Sequence, residues 1–240
     1  MGVISGLTRT VSRAVGGLAL DASSGLARAA EAAKAAVAGE EIGPATLRLA
    51  VLILSDEHGP LSSPEAVQPS INLAGSVFLA ESGIRLRLTG IGVIDEPAPA
   101  SALDPHANQR LLLDDVLGHT EFYRRHSAPI DLATAVVGAP ITVIVVRNIA
   151  GRVTGCSLGI SADWVIVQAA LFDPEQPHTY DETVLVHELG HALNLPHHRG
   201  KQNLMFPASS PPGDIRGTTL QGWQTAVLHA NRHVVPGVSS

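Results

Sequence analysis

The stretch that decides the fold of this chain runs from His187 to His197 and reads HELGHALNLPH. His187 and His191 are four residues apart, so a helix brings both imidazoles to one face, where they can bind one tetrahedral zinc ion through neutral nitrogens. Glu188 is displaced around the helix. Its carboxylate therefore does not bind the metal but stays close enough to accept a proton from a water there.

The residues before and within the motif predict the helix itself. Residues 179–182 read TYDE, which fits an N-terminal capping box. Apolar residues with helical spacing follow: Val184, Leu185, Leu189, Ala192 and Leu193. Together these features predict a helix over about 180–193 with one face in the core.

A catalytic zinc site needs a third protein ligand and one open position for water. Asn194 stands where the helix must end, and Pro196 prevents its continuation, so the chain can turn back and bring His197 to the metal. No glutamate follows Glu188, and Asp214 is the only later aspartate, so histidine is the candidate class for this ligand.

Other interpretations of these histidines remain open. The adjacent His198 is the rival third ligand, since two neighbouring histidines do not easily face one metal. The cluster could also hold a purely structural zinc, or the motif could be a coincidence, although a structural site would need neither Glu188 nor an open position. The more distant His229 and His233 are predicted to lie on the surface.

The segment 187–197 resembles the extended zinc motif of the metzincin metallopeptidases, with Asn194 in place of that family's usual glycine. Residues 203–207 read NLMFP and resemble the methionine-containing turn beneath the metal in that family, with Met205 as its methionine. The spacing of this Met-turn from His197 is similar to that in matrixins. The resemblance is specific over about 187–207, weaker over 45–186 and absent over 1–40.

The resemblance implies a zinc-dependent endopeptidase that hydrolyses protein or peptide substrates. One catalytic Zn²⁺ would be bound by His187, His191 and His197, Glu188 would be the catalytic base, and Met205 would have a structural role. Calcium is a further possibility for such a protein, but no acidic loop in this sequence supports it. The alternative is a non-proteolytic binding protein, or an effector with a narrow target, on a metallopeptidase scaffold.

The resemblance also implies an α/β, zincin-like catalytic domain. Its mixed twisted sheet would lie above the cleft, with an active-site helix and a smaller C-terminal subdomain that ends in a helix at about 218–233. An edge strand near residues 155–160 would pair with an extended peptide across the cleft.

Local patterns predict further elements. Continuous or alternating apolar runs predict strands at residues 46–54, 84–88, 141–146 and 164–167. Helical periodicity predicts helices at residues 64–82 and 104–126.

The amino-acid composition changes at Gly43 and Pro44, from an alanine-rich segment to an apolar run typical of a strand. We interpret this change as a boundary in the chain. Residues 1–42 are predicted to be a helical N-terminal segment that serves as a tail, a pro-segment or a targeting signal. Residues 43–240 are predicted to be the catalytic domain.

Composition excludes several other classes of protein. Of the 240 residues, 45% are hydrophobic and 16% are charged, which favours a folded globule. The net charge of −6 and the scattered Lys and Arg residues argue against a nucleic-acid partner. The single cysteine, Cys156, excludes an internal disulfide, and no apolar run is long enough for a membrane span. The sequence identifies neither the oligomeric state nor the compartment, although an extracellular or delivered protein would fit the function.

Overall fold

The structure is a computed structural model that describes residues 43–106, 118, 120–127, 138–150, 155–157, 163–173, 175, 181–208 and 214–237. The predicted N-terminal segment, residues 1–42, lies outside these residues. Strands β1 to β7 span Ala45–Asp56, Gly59–Pro60, Ile84–Pro97, Ile141–Val146, Gly155–Ser157, Trp164–Gln168 and Val234–Val235. Helices α1 to α5 span Pro64–Ser82, Ala100–Leu103, Glu121–His126, Val184–Ala192 and Gly222–Ala230, and a short 3₁₀ helix spans Ala169–Phe172.

The seven described strands form one mixed sheet around β1. Strands β3 and β4 both pair with β1 in parallel, and β6 pairs in parallel with β4. Strand β5 runs antiparallel to β6 and is the last strand on that side. The short strands β2 and β7 pair antiparallel with the end and the start of β1. This arrangement confirms the predicted mixed sheet, and β5 is its edge strand among the described residues; residues 158–160, the rest of the predicted edge strand, lie outside them.

Strand β4 has a continuous apolar sequence because both of its faces are covered. Its Val143 and Val145 lie in a core that also contains the buried face of α1 and the apolar side of α4. Its Ile144 and Val146 lie in a second core on the opposite face of the sheet. Parallel strands buried on both faces have this continuous pattern, so the predicted central strand is confirmed.

Helix α1 has the bounds that its sequence predicts. The Ser63 hydroxyl accepts a hydrogen bond from the Ala66 amide at 3.2 Å, which caps the first turn. The helix ends at Gly83, whose φ of 67° is readily adopted by glycine.

Strand β3 is longer than the predicted 84–88. Its pairing with β1 continues past a register shift at Thr89, whose hydroxyl donates to the Leu49 carbonyl at 2.9 Å. A bulge of this kind changes which face the following side chains occupy. The alternation therefore stops at Thr89 although the strand continues to Pro97.

The predicted helix over 104–126 is wrong at its start. Asp104 follows α2 with a non-helical φ of −127°, and Pro105 comes next, which disfavours helical backbone in the residue before it. The Asp104 carboxylate pairs with Arg147 instead. Helix α3 occupies only the end of the predicted range, and residues 107–117 and 119 lie outside the described residues.

The C-terminal helix α5 is shorter than the predicted 218–233. It begins after a capping box formed by Gln221 and Gln224, and Asn231 ends it. The next residues approach β1, and an added Cβ on Gly237 would lie 1.9 Å from the Gly43 carbonyl oxygen. The backbones of these two glycines are therefore in contact.

Neither His229 nor His233 is a free surface residue, contrary to the prediction. His233 is completely buried, and its Nδ1 lies 2.7 Å from the Ala139 carbonyl oxygen. His229 is partly buried, with its Nε2 2.7 Å from the Ser82 carbonyl oxygen. Each ring bonds to a carbonyl from a segment distant in sequence, which no local pattern predicts.

Candidate metal centre

Helix α4 carries the first part of the motif and begins later than predicted. It starts at Val184 after Thr183, which makes no side-chain cap. The Asp181 carboxylate oxygen Oδ1 accepts from the Thr183 amide at 2.9 Å and from its hydroxyl at 2.6 Å. This turn holds residues 181–183 ahead of the first helical residue, so α4 begins at Val184. Residues 179 and 180 lie outside the described part of the chain.

The end of α4 has the predicted reversal. Asn194 has a φ of 72°, in the left-handed region. Its amide donates to the His191 carbonyl, and the Leu195 amide donates to the Gly190 carbonyl, both at 2.9 Å. These two bonds form a Schellman motif, which turns the chain back toward the helix. Asparagine tolerates this conformation better than most residues, and the turn directs His197 to the other two histidines.

The three predicted ligand histidines form a compact cluster. Nε2 of His191 lies 3.1 Å from Nε2 of His187 and 3.1 Å from Nε2 of His197. Two imidazole nitrogens on one tetrahedral zinc are about 3.3 Å apart for the usual zinc–nitrogen distance. Within the described residues, these three histidines are the one group of three or more metal-ligating side chains whose ligand atoms are close enough to hold an ion.

The hydrogen bonds of the other ring nitrogen, Nδ1, determine the tautomers of His187 and His191. Nδ1 of His187 lies 2.8 Å from the Leu204 carbonyl, and Nδ1 of His191 lies 2.8 Å from the Leu195 carbonyl. A carbonyl only accepts, so each Nδ1 carries the proton and each Nε2 presents a lone pair. Lone pairs that face one another at this distance repel unless a cation lies between them. The cluster therefore fits a zinc ion.

Burial keeps these imidazoles neutral. Desolvation lowers the pKa of His187 to about 2, helped by the nearby Arg216 charge and opposed by the bond to Leu204. Desolvation also lowers the pKa of His191 to about 4 and lowers that of the more exposed His197. A neutral imidazole is the form that binds a metal, so no proton has to leave these rings at neutral pH.

His198 lies outside the cluster. Its Nδ1 accepts a hydrogen bond from the Gly200 amide at 3.0 Å, and its own amide donates to the Met205 carbonyl at 2.8 Å. The geometry therefore brings His197, and not its neighbour, to the other two rings.

Glu188 is buried beside the cluster, with 6% of its surface exposed. Desolvation raises the pKa of its carboxyl to about 8, and the charge of Arg216 opposes this shift. The side chain packs against the edge strand: an added Cβ on Gly155 would lie 2.6 Å from Cγ of Glu188. A glycine at this point of β5 therefore leaves the space that the carboxylate side chain occupies.

Met205 belongs to a buried turn beneath α4. An added Cβ on Gly190 would lie 2.5 Å from its sulfur, so the turn and the helix are in contact where a glycine removes the side chain. The Met205 amide donates to Oδ1 of Asn203 at 3.0 Å, and the amides of Asn203 and Gln224 bond to each other. The turn thus rests on α5 and supplies the Leu204 carbonyl that orients His187.

Arg216 was not predicted from the sequence. Its side chain is 5% exposed and lies 3.5 Å from the Asp181 carboxylate, while Nη1 donates to the Phe206 carbonyl at 3.2 Å. Burial lowers the pKa of this guanidinium, whereas Asp181 and Glu188 raise it. Arg216 follows a sequence rich in proline and glycine, and no periodic pattern there signals a buried residue.

Comparisons with known proteins agree with this architecture. The sequence matches no protein-family profile and no curated protein. Among solved structures, metalloproteinase-II from Bacteroides fragilis matches over 80% of this chain, at 18% identity and a TM-score of 0.51. This chain spans 55% of the length of that protein. The match shows a mixed α/β fold that this chain shares with that metalloproteinase, which agrees with the predicted α/β class.

Two archaemetzincin structures also match. The protein from Methanopyrus kandleri is 17% identical over 76% of this chain and 93% of its own, with a TM-score of 0.46. The protein from Archaeoglobus fulgidus, complexed with malonate, is 15% identical over 75% of this chain and 99% of its own, with a TM-score of 0.43.

Within the described residues, no helix is long and apolar enough to span a membrane.

Proposed function

We propose that this protein is a zinc-dependent endopeptidase, with His187, His191 and His197 as the metal ligands and Glu188 as the general base. The observation that carries the proposal is the convergence of three histidine Nε2 atoms, two of them left unprotonated by the Nδ1 bonds of His187 and His191, next to a buried carboxylate. The fold, which is similar to that of metalloproteinase-II from Bacteroides fragilis, supports it. A purely structural site would use neither the open fourth position nor Glu188.

Zinc, when bound, would lower the pKa of a water in its open position and polarise the peptide carbonyl. The residues of the chain perform the other tasks. Glu188 takes the proton from the attacking water and gives it to the leaving amine. The hydrogen bonds from His187 and His191 to the Leu204 and Leu195 carbonyls hold both rings in the required tautomer.

The surroundings of Glu188 suit it to carry a proton between these two positions. Burial favours the protonated carboxyl, while the Arg216 charge and a bound metal favour the carboxylate. The two forms are therefore closer in free energy than they are for an exposed glutamate. A general base with this balance can both accept and release a proton near neutral pH.

The edge strand β5 supports a peptide substrate. Within the described residues it pairs only with β6, so its other edge can pair with an extended chain. Gly155 of this strand packs directly against Glu188. A peptide that extended the sheet at β5 would therefore lie next to the general base. The Met-turn spacing predicts a site similar to that of matrixins, which stays a prediction.

The proposal is tested by incubating the purified chain with a peptide library while its zinc content is measured. We expect zinc-dependent cleavage by the native protein. Glu188→Ala should retain zinc without cleaving, because it removes the base and no ligand, whereas His191→Ala should lose both. His198→Ala is the matched control and should keep zinc and activity.

The outcomes separate the two functions considered. A Glu188→Ala protein that cleaves at the native rate would contradict the role of this residue. Stoichiometric zinc without cleavage of any peptide would favour the alternative, a binding protein or an effector with a narrow target.

A further inference from the structure

Arg216 is a buried charge that bonds to two different segments of the metal centre. Its Nη1 donates to the Phe206 carbonyl at 3.2 Å, and its Nη2 lies 3.5 Å from Oδ2 of Asp181. The side chains of Arg216 and Asp181 are 5% and 4% exposed. The planar guanidinium can make both contacts at once because its donors are fixed in a fork.

Both segments support the same ligand histidine. Asp181 organises the turn that starts α4, the helix that carries His187. Phe206 follows the turn whose Leu204 carbonyl binds the His187 ring. Arg216 therefore links the backbone that carries this imidazole to the backbone that orients it.

Stability alone does not account for a guanidinium at this position. Burial of a charged pair requires desolvation, and an apolar side chain of similar volume is often as stabilising or more so. Nε of Arg216 is also buried without a hydrogen-bond partner among the described residues. A fixed geometry between two segments, however, is what an arginine provides and an apolar residue does not.

We propose that Arg216 is a positioning residue, which holds the start of α4 and the Met-turn in the register that orients His187. The catalytic part of this inference rests on the proposed peptidase function. Its structural part concerns zinc affinity and the rigidity of the turn, and holds for any protein that binds zinc here.

The test compares Arg216→Lys with the native protein. A lysine keeps the charge but offers a single ammonium group, so it cannot span Asp181 and Phe206 together. We expect a folded protein in which the amides of residues 204–206 exchange with deuterium faster and zinc is lost to a chelator at a lower concentration. We also expect kcat to fall about 10- to 100-fold with little change in KM, because misplacement of a catalytic group by about 1 Å has effects of this size.

Arg232→Lys is the matched control. Arg232 is equally buried, and its side chain pairs with Asp163, which belongs to neither the Asp181 turn nor the Met-turn. This variant should be less stable but should keep the native zinc affinity and kcat. If Arg216→Lys does not fold, Asp181→Asn provides the same test, because the amide can still accept from Thr183 but cannot form the ion pair.

The results distinguish this inference from the proposed function. Native exchange at residues 204–206 and native zinc affinity in Arg216→Lys would overturn the positioning role. If the native protein cleaves no peptide, the proposed function fails, but exchange and zinc affinity still decide what Arg216 does.

Discussion

At the scale of the residue, the contact between Gly190 and Met205 shows how closely the Met-turn approaches α4. Glycine lowers helix stability by about 1 kcal/mol relative to alanine, so its presence inside α4 needs a reason. The Met205 sulfur, at 2.5 Å from any Cβ placed there, supplies it. The same contact limits how far the turn, with its Leu204 carbonyl, can move.

We therefore expect Gly190→Ala to destabilise the protein by about 1–3 kcal/mol, the usual range for overpacking, and to weaken zinc binding. Urea unfolding and chelator competition measure the two effects. Gly75→Ala is the matched control within α1, where the added Cβ would be 3.7 Å from its nearest neighbour, an ordinary contact. If both substitutions have the same effect, the close contact with Met205 is not limiting.

Glu188 leads to a prediction about pH in the metal-free protein. Burial raises the pKa of its carboxyl from 4.5 to about 8, so between these values the folded protein holds a proton that the unfolded chain has released. The contribution of Glu188 to stability should therefore fall as the pH rises through this range, by up to about 1.4 kcal/mol per pH unit. Below pH 6.5, the lowered pKa values of His187 and His191 act in the opposite direction.

The difference in urea unfolding between the metal-free native protein and metal-free Glu188→Gln, measured between pH 6.5 and 8, isolates the contribution of Glu188. Glu188→Gln should lose the decrease that Glu188 contributes in this range, whereas Glu182→Gln, which changes an exposed carboxylate nearby, should keep it. An unchanged slope in Glu188→Gln would show that this carboxyl does not bind the proton.

The residues that could be predicted from the sequence are those whose roles depend on local spacing. The helical interval between His187 and His191 and the reversal at Asn194 and Pro196 are of this kind. Arg216 and Gly155 could not be predicted, because their contacts join segments that are far apart in the chain. Gln224 is similar, since its partner Asn203 belongs to another element.

At the scale of the element, the approach of β5 to α4 determines the space available for Glu188. Gly155→Ala would place a Cβ 2.6 Å from Cγ of Glu188 and 3.0 Å from its Oε1. We expect this variant to bind zinc but to lose most of its peptide cleavage, because the general base is displaced and no ligand is changed. Peptide turnover and zinc content in one preparation test this.

Gly90→Ala is the control for a glycine within a strand. Gly90 lies in β3, and nothing is within 4 Å of a Cβ added there. This variant should turn over peptide at the native rate. A Gly155→Ala protein that is equally active would mean that Glu188 does not depend on the space beside β5.

The elements that could be predicted are those whose burial is visible in a local pattern. Helix α1 has a serine cap and a terminal glycine, and β4 is apolar on both faces. The end of β3 was missed because a bulge changes its alternation at Thr89. The start of the predicted helix 104–126 was wrong because Pro105 outweighs the apolar spacing that follows it.

At the scale of the whole molecule, the metal centre joins three parts of the chain that also share the main hydrophobic core. Helix α4, the Met-turn and α5 are connected through the His187, Leu204 and Asn203 contacts. Zinc that binds the folded state alone should stabilise it by about 4 kcal/mol at a free concentration a thousand times its Kd.

Removal of zinc by a chelator should therefore lower the Tm, and restored zinc should raise it again. His197→Ala should show little response to zinc, and His198→Ala should respond as the native protein does.

The same measurement on a protein that begins at residue 43 tests the proposed catalytic domain, residues 43–240. A zinc response lost with residues 1–42 would show that the boundary is misplaced.

The position of β1 has a consequence for how the protein folds. This strand comes first among the described elements, yet its pairing with β4 and β7 requires residues made much later, up to Val235. Contacts over such distances in sequence slow folding, because the loop must close before any stabilisation is gained. During synthesis, the apolar strand β1 therefore has unpaired backbone groups until the ribosome has translated the residues of β4 and β7. A nascent chain of this design depends on protection from aggregation until its last strand arrives.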